Sequence, residues 1–142
     1  MTRVKFKVRK RIDNDFIYNY DLLVIPTFPF IKRLKVGNLK IVSNKRIKID
    51  YVYIKIPYNK DINSKKLVLD CYRRLLDIIR VNEYKNILID NMNMSLISEC
   101  CNYNNKDICH DIYKLINDYI KDIDINVGIV ISNIKVKKYY FD

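Results

Sequence analysis

The sequence predicts an α/β protein, a three-layer α/β/α sandwich with a mixed central sheet. Three observations carry this. Asp21-Leu22-Leu23-Val24-Ile25-Pro26-Thr27 sets four consecutive aliphatic residues behind an Asp, the pattern of a strand buried on both faces. The runs at 86–90 and 127–131 repeat that pattern. Two amphipathic stretches, at 64–81 and 107–121, supply the helices that such a sheet needs above and below it.

In chain order, Arg3-Val4-Lys5-Phe6-Lys7-Val8-Arg9 alternates charged and apolar residues. It predicts a strand with Val4, Phe6 and Val8 inward and the cations outward, and a charged outer face suits a sheet edge. Residues 11–20 form a polar, aromatic-rich connection. Pro26 is expected to stop the central strand, because proline has no N–H for a ladder. Phe28-Pro29-Phe30-Ile31 follows as an apolar turn, with core filling as the first expectation for its rings. Strands are expected at 39–42 and 51–56, with Pro57 and Asn59 closing the second. Ser64 is a good N-cap, and Leu67, Cys71, Leu75, Ile78 and Ile79 then share one helical stripe. The polar stretch 91–106 is long for a connection. Asp107 should open the second helix, with Ile108, Ile112, Leu115, Ile116 and Tyr119 on its apolar side. The last segment, 136–141, suits an edge strand or a short helix. The early strands have no helix between them, so the sheet should be mixed. No repeat or linker interrupts the chain, and its 142 residues suit a single domain over 1–142.

The chain is 49% hydrophobic and carries a formal charge of +11, enough apolar residue for a core and a large basic excess. Ile, Lys, Asn and Tyr are heavily used and there are two Gly and no Trp. That bias follows AT-rich codons, so part of the Lys excess reports a genome: a low-GC bacterium, a parasite or a large DNA virus. The rest of the excess points to a polyanionic partner. The candidate basic patch is Arg3, Lys5, Lys7 and Arg9, joined by Arg73 and Arg74. With 12 Tyr beside 27 Lys and Arg, stacking plus phosphate contacts would suit single-stranded nucleic acid. No run reaches the roughly 18 apolar residues of a membrane span, and the N-terminus has no signal-peptide core. The expectation is an intracellular, cytoplasmic protein (in the host cytoplasm if viral), with reduced cysteines.

Cys100, Cys101, Cys109 and His110 cluster within eleven residues. Structural zinc usually pairs cysteines two to four residues apart, and adjacent cysteines splay, so no metal is expected there. Cys109 and His110 are neighbours on one helix and do not face each other, which removes a Cys–His nucleophile. Asp90, at the carboxyl end of a buried strand, is the best-placed carboxylate. There is no P-loop and no Gly-rich dinucleotide fingerprint.

The order of landmarks resembles the macro domain, an ADP-ribose-binding module. Asp21-Leu22-Leu23-Val24 sits where that family has an Asp-Ala-Ile-Val strand. The stretch from Gly37 to Pro57 resembles one that opens on Gly-Glu-Ala and ends in a Tyr-Val-Ile-His strand, with Tyr51-Val52-Tyr53-Ile54 at that ending. Cys71-Tyr72-Arg73 resembles the Cys-Tyr-Arg of the family's long helix, and Ile87-Leu88-Ile89 fits its next strand. The likeness spans nearly the whole chain through short hydrophobic motifs.

The resemblance implies a ligand crevice lined by Asp15, Phe16, Ile25, Thr27, Phe28, Asp90, Asn91 and Asn93, with Asp15-Phe16 in place of the family's adenine-selecting Asp-Ile pair. It also exposes departures. The family's Asn-Ala-Ala-Asn run, which orients the distal ribose and supports hydrolysis, is Ile25-Pro26-Thr27-Phe28 here. No Gly lies between Phe28 and Gly37, where the family has a Gly-rich phosphate loop. The second phosphate loop is replaced by Asn91-Met92-Asn93-Met94-Ser95. Glycines allow a backbone to approach phosphate closely. The expected function is therefore a macro-like binding module without catalytic residues, metal or cofactor. Its partner would be nucleic acid or a protein, with ADP-ribose or a related nucleotide as the alternative ligand.

Overall fold

Strict alternation makes β1 (Val4–Val8) a strand, and the aliphatic runs make β2 (Leu22–Thr27), β5 (Asn86–Asp90) and β6 (Asn126–Ile131). β3 (Leu39–Asn44) and β4 (Ile49–Lys55) complete one six-stranded sheet in the order β1-β6-β5-β2-β4-β3. β3 runs antiparallel to β4, and every other pairing is parallel. The sheet is mixed, as expected. The computed structural model describes residues 4–9, 12, 14–17, 19–27, 39–44, 49–55, 64–91, 105–132 and 134–140.

Both long helices, α2 (Ser64–Val81) and α3 (Asn105–Ile120), lie on one face of the sheet. Val24, Ile89 and Ile129 meet Val68, Tyr72, Leu75, Ile112 and Ile116 there, all fully buried or nearly so. Burying each such aliphatic side chain contributes about 1.5–3 kcal/mol. The C-terminal 3₁₀ segment, Ile134–Tyr140, closes this layer through Tyr140. The expectation of one long helix above the sheet and one below is corrected: an apolar stripe shows that a helix is buried but not against which face. The opposite face carries α1 (Asn14–Ile17), whose Ile17 packs on Leu23, Ile49, Leu88 and Val130.

Local details depart from expectation for physical reasons. Pro26 lies inside β2, paired in register with Ile54 of β4. The β2–β5 ladder has already ended at Val24 and Ile89, so Pro26 has a strand on one side only, an edge-like position that tolerates proline. Helix α2 buries Val68, Tyr72 and Leu76 as well as Cys71, Leu75 and Ile79, while Ile78 is only half-buried. Its end is made by the Asn82 carboxamide, which donates to the Ile78 carbonyl at 2.9 Å, and by Glu83 at φ 59°. That left-handed position usually takes Gly or Asn. Helix α3 begins at Asn105, so Asp107 lies within its first turn. Val8 is exposed at 39%, because β1 is an edge strand and the layer that covers Val4 and Phe6 does not reach it.

Candidate functional site

From β2 the chain passes to β3 and β4 on one side of β2, and then through α2 to β5 and β6 on the other. β2 and β5 therefore flank a topological switch point, where open α/β sheets hold ligands beyond the carboxyl ends of their strands. The ladders differ there in length. β2 pairs with β5 only from Leu22 to Val24, but it pairs with β4 as far as Thr27. β5 meanwhile stays on β6 as far as Asp90 and Val130. Among the described residues, Ile25 to Thr27 of β2 have no ladder partner in β5, so the β2–β5 ladder stops short at the carboxyl edge of the sheet.

At their amino ends the same strands are held firmly. The Asp21 carboxylate accepts the backbone N–H groups of Lys85 and Asn86, each at 2.9 Å. The Tyr84 hydroxyl donates to Asp50 at the start of β4. These bonds tie β2, β4 and β5 together at one end, opposite to the end where the β2–β5 ladder stops short.

Of the expected residues, Ile25, Thr27 and Asp90 stand at the carboxyl end of the ladder. Ile25 is half-buried and packs with the α1-side cluster. Asp90, also half-buried, ends β5. Phe16 lies on α1, half-buried, with the Arg9 guanidinium over its ring at 4.6 Å and the Tyr20 ring edge-on at 5.9 Å. A cation on an aromatic face gains about 0.5–1 kcal/mol at exposed sites. The Arg9 main chain is fixed as well, its N–H donating to the Ile131 carbonyl at 3.0 Å. Asp15 falls within α1 and Thr27 ends β2. Phe28, Asn93 and Arg3 lie outside the described residues.

Asn91 requires a correction. It is 2% exposed, and its carboxamide faces the helix layer. The Tyr72 hydroxyl donates to its Oδ1 at 3.4 Å, and its Nδ2 donates to the Tyr140 hydroxyl at 3.1 Å. Its backbone N–H donates to Val130 at 2.9 Å. Alternation explains the difference: Ile87, Ile89 and residue 91 share the helix-side face, and Asp90 takes the other. Asn91 locks β5 to α2 and the C-terminal 3₁₀ segment and does not offer its amide to the carboxyl end of the ladder.

The basic patch requires one too. Val4 and Phe6 face the helix layer, so Lys5, Lys7 and Arg9 face the opposite side. Arg73 and Arg74 are exposed on α2, within that layer, and Arg73 pairs with Asp70 at 2.8 Å. The sheet separates the two groups. Lys5 and Lys7 instead border a cavity of about 350 Å³ with Asn19, Tyr20, Asn86, Asn126, Val127 and Gly128. Its residues, apart from the lysines, were not singled out from the sequence. The available signal was Gly128, because a glycine inside a strand marks a close approach. A Cβ there would lie 3.1 Å from the Tyr20 hydroxyl and 3.1 Å from Leu88.

Cys71 and Cys109 are free, buried thiols. Burial pushes Cys71 up to about 12 and Cys109 up to about 11, the latter opposed by a hydrogen bond with Tyr140. Such thiols are poor nucleophiles. Among the described residues no three His, Cys, Asp or Glu gather as a metal site, and no helix is long and apolar enough to cross a membrane.

No family model and no curated protein matches the sequence. Solved structures do match the fold. A Trypanosoma brucei macrodomain in complex with ADP-ribose superposes at TM-score 0.70 with 9% identity, over 97% of this chain and 67% of that one. The macro domain of ganglioside induced differentiation associated protein 2 gives TM-score 0.70 with 12% identity, over 87% of this chain and 75% of that one. An Oceanobacillus iheyensis macrodomain with MES bound gives TM-score 0.60 with 18% identity, over 76% of this chain. This chain spans 57% of the length of that Oceanobacillus structure. The fold is therefore that of the macro domain, as the order of sequence landmarks implied.

Proposed function

We propose that this chain is a nucleotide-binding module that holds ADP-ribose or a related adenine nucleotide at the carboxyl ends of β2 and β5, without hydrolysing it. The β2–β5 ladder that stops short at a topological switch point carries this reading. The fold it shares with a macrodomain that was solved in complex with ADP-ribose supports it. Arg9 supplies a cation at the carboxyl edge for a diphosphate. The Phe16 ring that it covers supplies an apolar wall for an adenine.

The non-catalytic half of the proposal rests on residue chemistry. Ile25 has no side-chain hydrogen bond for a ribose or a water, and Pro26 lacks even an N–H. The Asn91 carboxamide is engaged in the core. Positioning a water and a ribose accounts for roughly 7–11 kcal/mol of such a barrier, and these residues contribute little to it. Binding should be weak as well. Each charge-assisted hydrogen bond missing from a Gly-rich phosphate loop is worth about 1.5–3 kcal/mol. Two of them amount to about two orders of magnitude or more in affinity.

The test is calorimetry with ADP-ribose, together with an assay for ADP-ribose release from an automodified polymerase, each beside an active macro domain. The expected result is measurable heat, affinity about a hundredfold or more below the control, and no release. Turnover within about a hundredfold of the control would show that residues such as Asp90 have taken over the chemistry.

A further inference from the structure

The cavity on the α1 side of the sheet is lined by other residues than the proposed nucleotide site and adjoins it through Tyr20, which packs on Phe16. Asn86 and Asn126 are the first residues of β5 and β6 and pair with each other in register. The cavity thus reaches from the amino ends of β5 and β6 along β1 to Lys7, which is level with Val130. Its lining contains two lysines, three asparagines and a tyrosine, and among these described residues there is no carboxylate. The nearby Asp21 carboxylate is already engaged by two backbone N–H groups. Lys5 and Lys7 lie two residues apart on one face of an edge strand, about 6.7 Å along its axis. That spacing compares with successive phosphates of an extended single strand. The Asn126 carboxamide donates to Asn86 Oδ1 at 3.3 Å, which leaves Asn126 Oδ1 and Asn86 Nδ2 free of that bond to meet sugar or base edges. Tyr20 is half-buried beside Gly128, which has no side chain to fill the space.

We infer that this cavity is a binding site for single-stranded nucleic acid, in which Lys5 and Lys7 contact successive phosphates while Tyr20 and the three asparagines line the floor for sugar and base. A net charge of +11 steers polyanions to the molecule from every direction. What selects this face is the pair of lysines on a cavity whose described lining holds no carboxylate. The lysines and asparagines belong to this site alone, and Tyr20 is its point of contact with Phe16.

The test is fluorescence anisotropy with a labelled single-stranded oligonucleotide over a range of salt, on the full chain. The wild type should bind. Lys5→Glu/Lys7→Glu should weaken binding about tenfold or more at low salt and flatten the slope of log K against log salt by about 1.4, two contacts at about 0.7 each. Lys5→Gln/Lys7→Gln, gentler to the edge strand, should lose binding in the same sense. Arg73→Glu/Arg74→Glu, on the other side of the sheet, removes the same charge and should change binding less than about threefold. Saturating ADP-ribose should not displace the oligonucleotide. Equal losses in the two glutamate variants would reduce the effect to bulk charge and overturn the site. Failure of the wild type to bind would also overturn it. So would displacement by ADP-ribose, or competition by a mononucleotide at equal concentration, which would mark a small-ligand pocket.

Discussion

Asn91 shows how one residue can be placed correctly in sequence and misjudged in role. A polar residue just after a buried strand suits a ligand edge, and it suits an internal lock equally well. The difference lies in Tyr72 and Tyr140, 19 and 49 residues away in sequence, and no local pattern connects them. Asn91→Leu keeps the volume and removes both side-chain bonds, so two buried hydroxyls lose a partner. The expected cost is about 1–3 kcal/mol, read as a lower urea midpoint with an unchanged slope. Tyr72→Phe removes only the longer bond and should cost less. An Asn91→Leu protein as stable as wild type would refute the lock. Gly128 and Lys5 make the opposite case. Alternation in β1 makes it legible that Lys5 and Lys7 share a face, whereas Gly128, a glycine inside a strand, is a signal that the sequence reading does not use. That the two belong to one cavity depends on the parallel pairing of β1 with β6, which leaves no mark in either strand.

At the scale of elements, β2, β5, β6 and α2 were readable almost to their ends, because each carries a long apolar pattern of one period. The side on which α3 packs was not readable, because its stripe fits either face. The helix layer has a shared chemical property that sets its response to alkali. Cys71 on α2 is raised by burial from its ordinary 9.0 to about 12, and Cys109 on α3 from 9.0 to about 11. Tyr72 and Tyr140 are raised above 10.0, again chiefly by burial. Tyr84, beyond α2, is raised to about 12 by burial and by its bond to Asp50. In every case the folded protein keeps a proton that the unfolded chain gives up. Their contribution is intact below about pH 9 and is lost as pH rises through about 11 to 12, since the unfolded state then binds fewer protons. The melting temperature should therefore hold level up to about pH 9 and fall steadily above it, as followed by circular dichroism. A level melting temperature to about pH 11 would mean that these groups are not buried in the folded state as described.

The whole molecule combines a sheet pinned at its amino edge with a β2–β5 ladder that stops short at its carboxyl edge. The strand order β1-β6-β5-β2-β4-β3 creates a switch point there by sending the chain first to one side of β2 and then to the other. That order could not be read from strand composition alone. The sequence of landmarks that resembles the macro domain reached the fold class and the mixed sheet but not this order, and the solved structures bear out that fold. The charge was legible only as a sum: +11 says that anions are attracted, not that the sheet divides Lys5 and Lys7 from Arg73 and Arg74. The central claim is that the carboxyl end of the β2–β5 ladder, and not the lysine cavity, receives an adenine nucleotide. The most direct measurement is a ¹⁵N-resolved NMR titration with ADP-ribose. The account predicts that amide shifts concentrate at Arg9, Phe16, Ile25 and Asp90, with Lys5 and Asn126 unmoved. Shifts centred on Lys5, Gly128 and Asn126, or none at millimolar ADP-ribose, would contradict it.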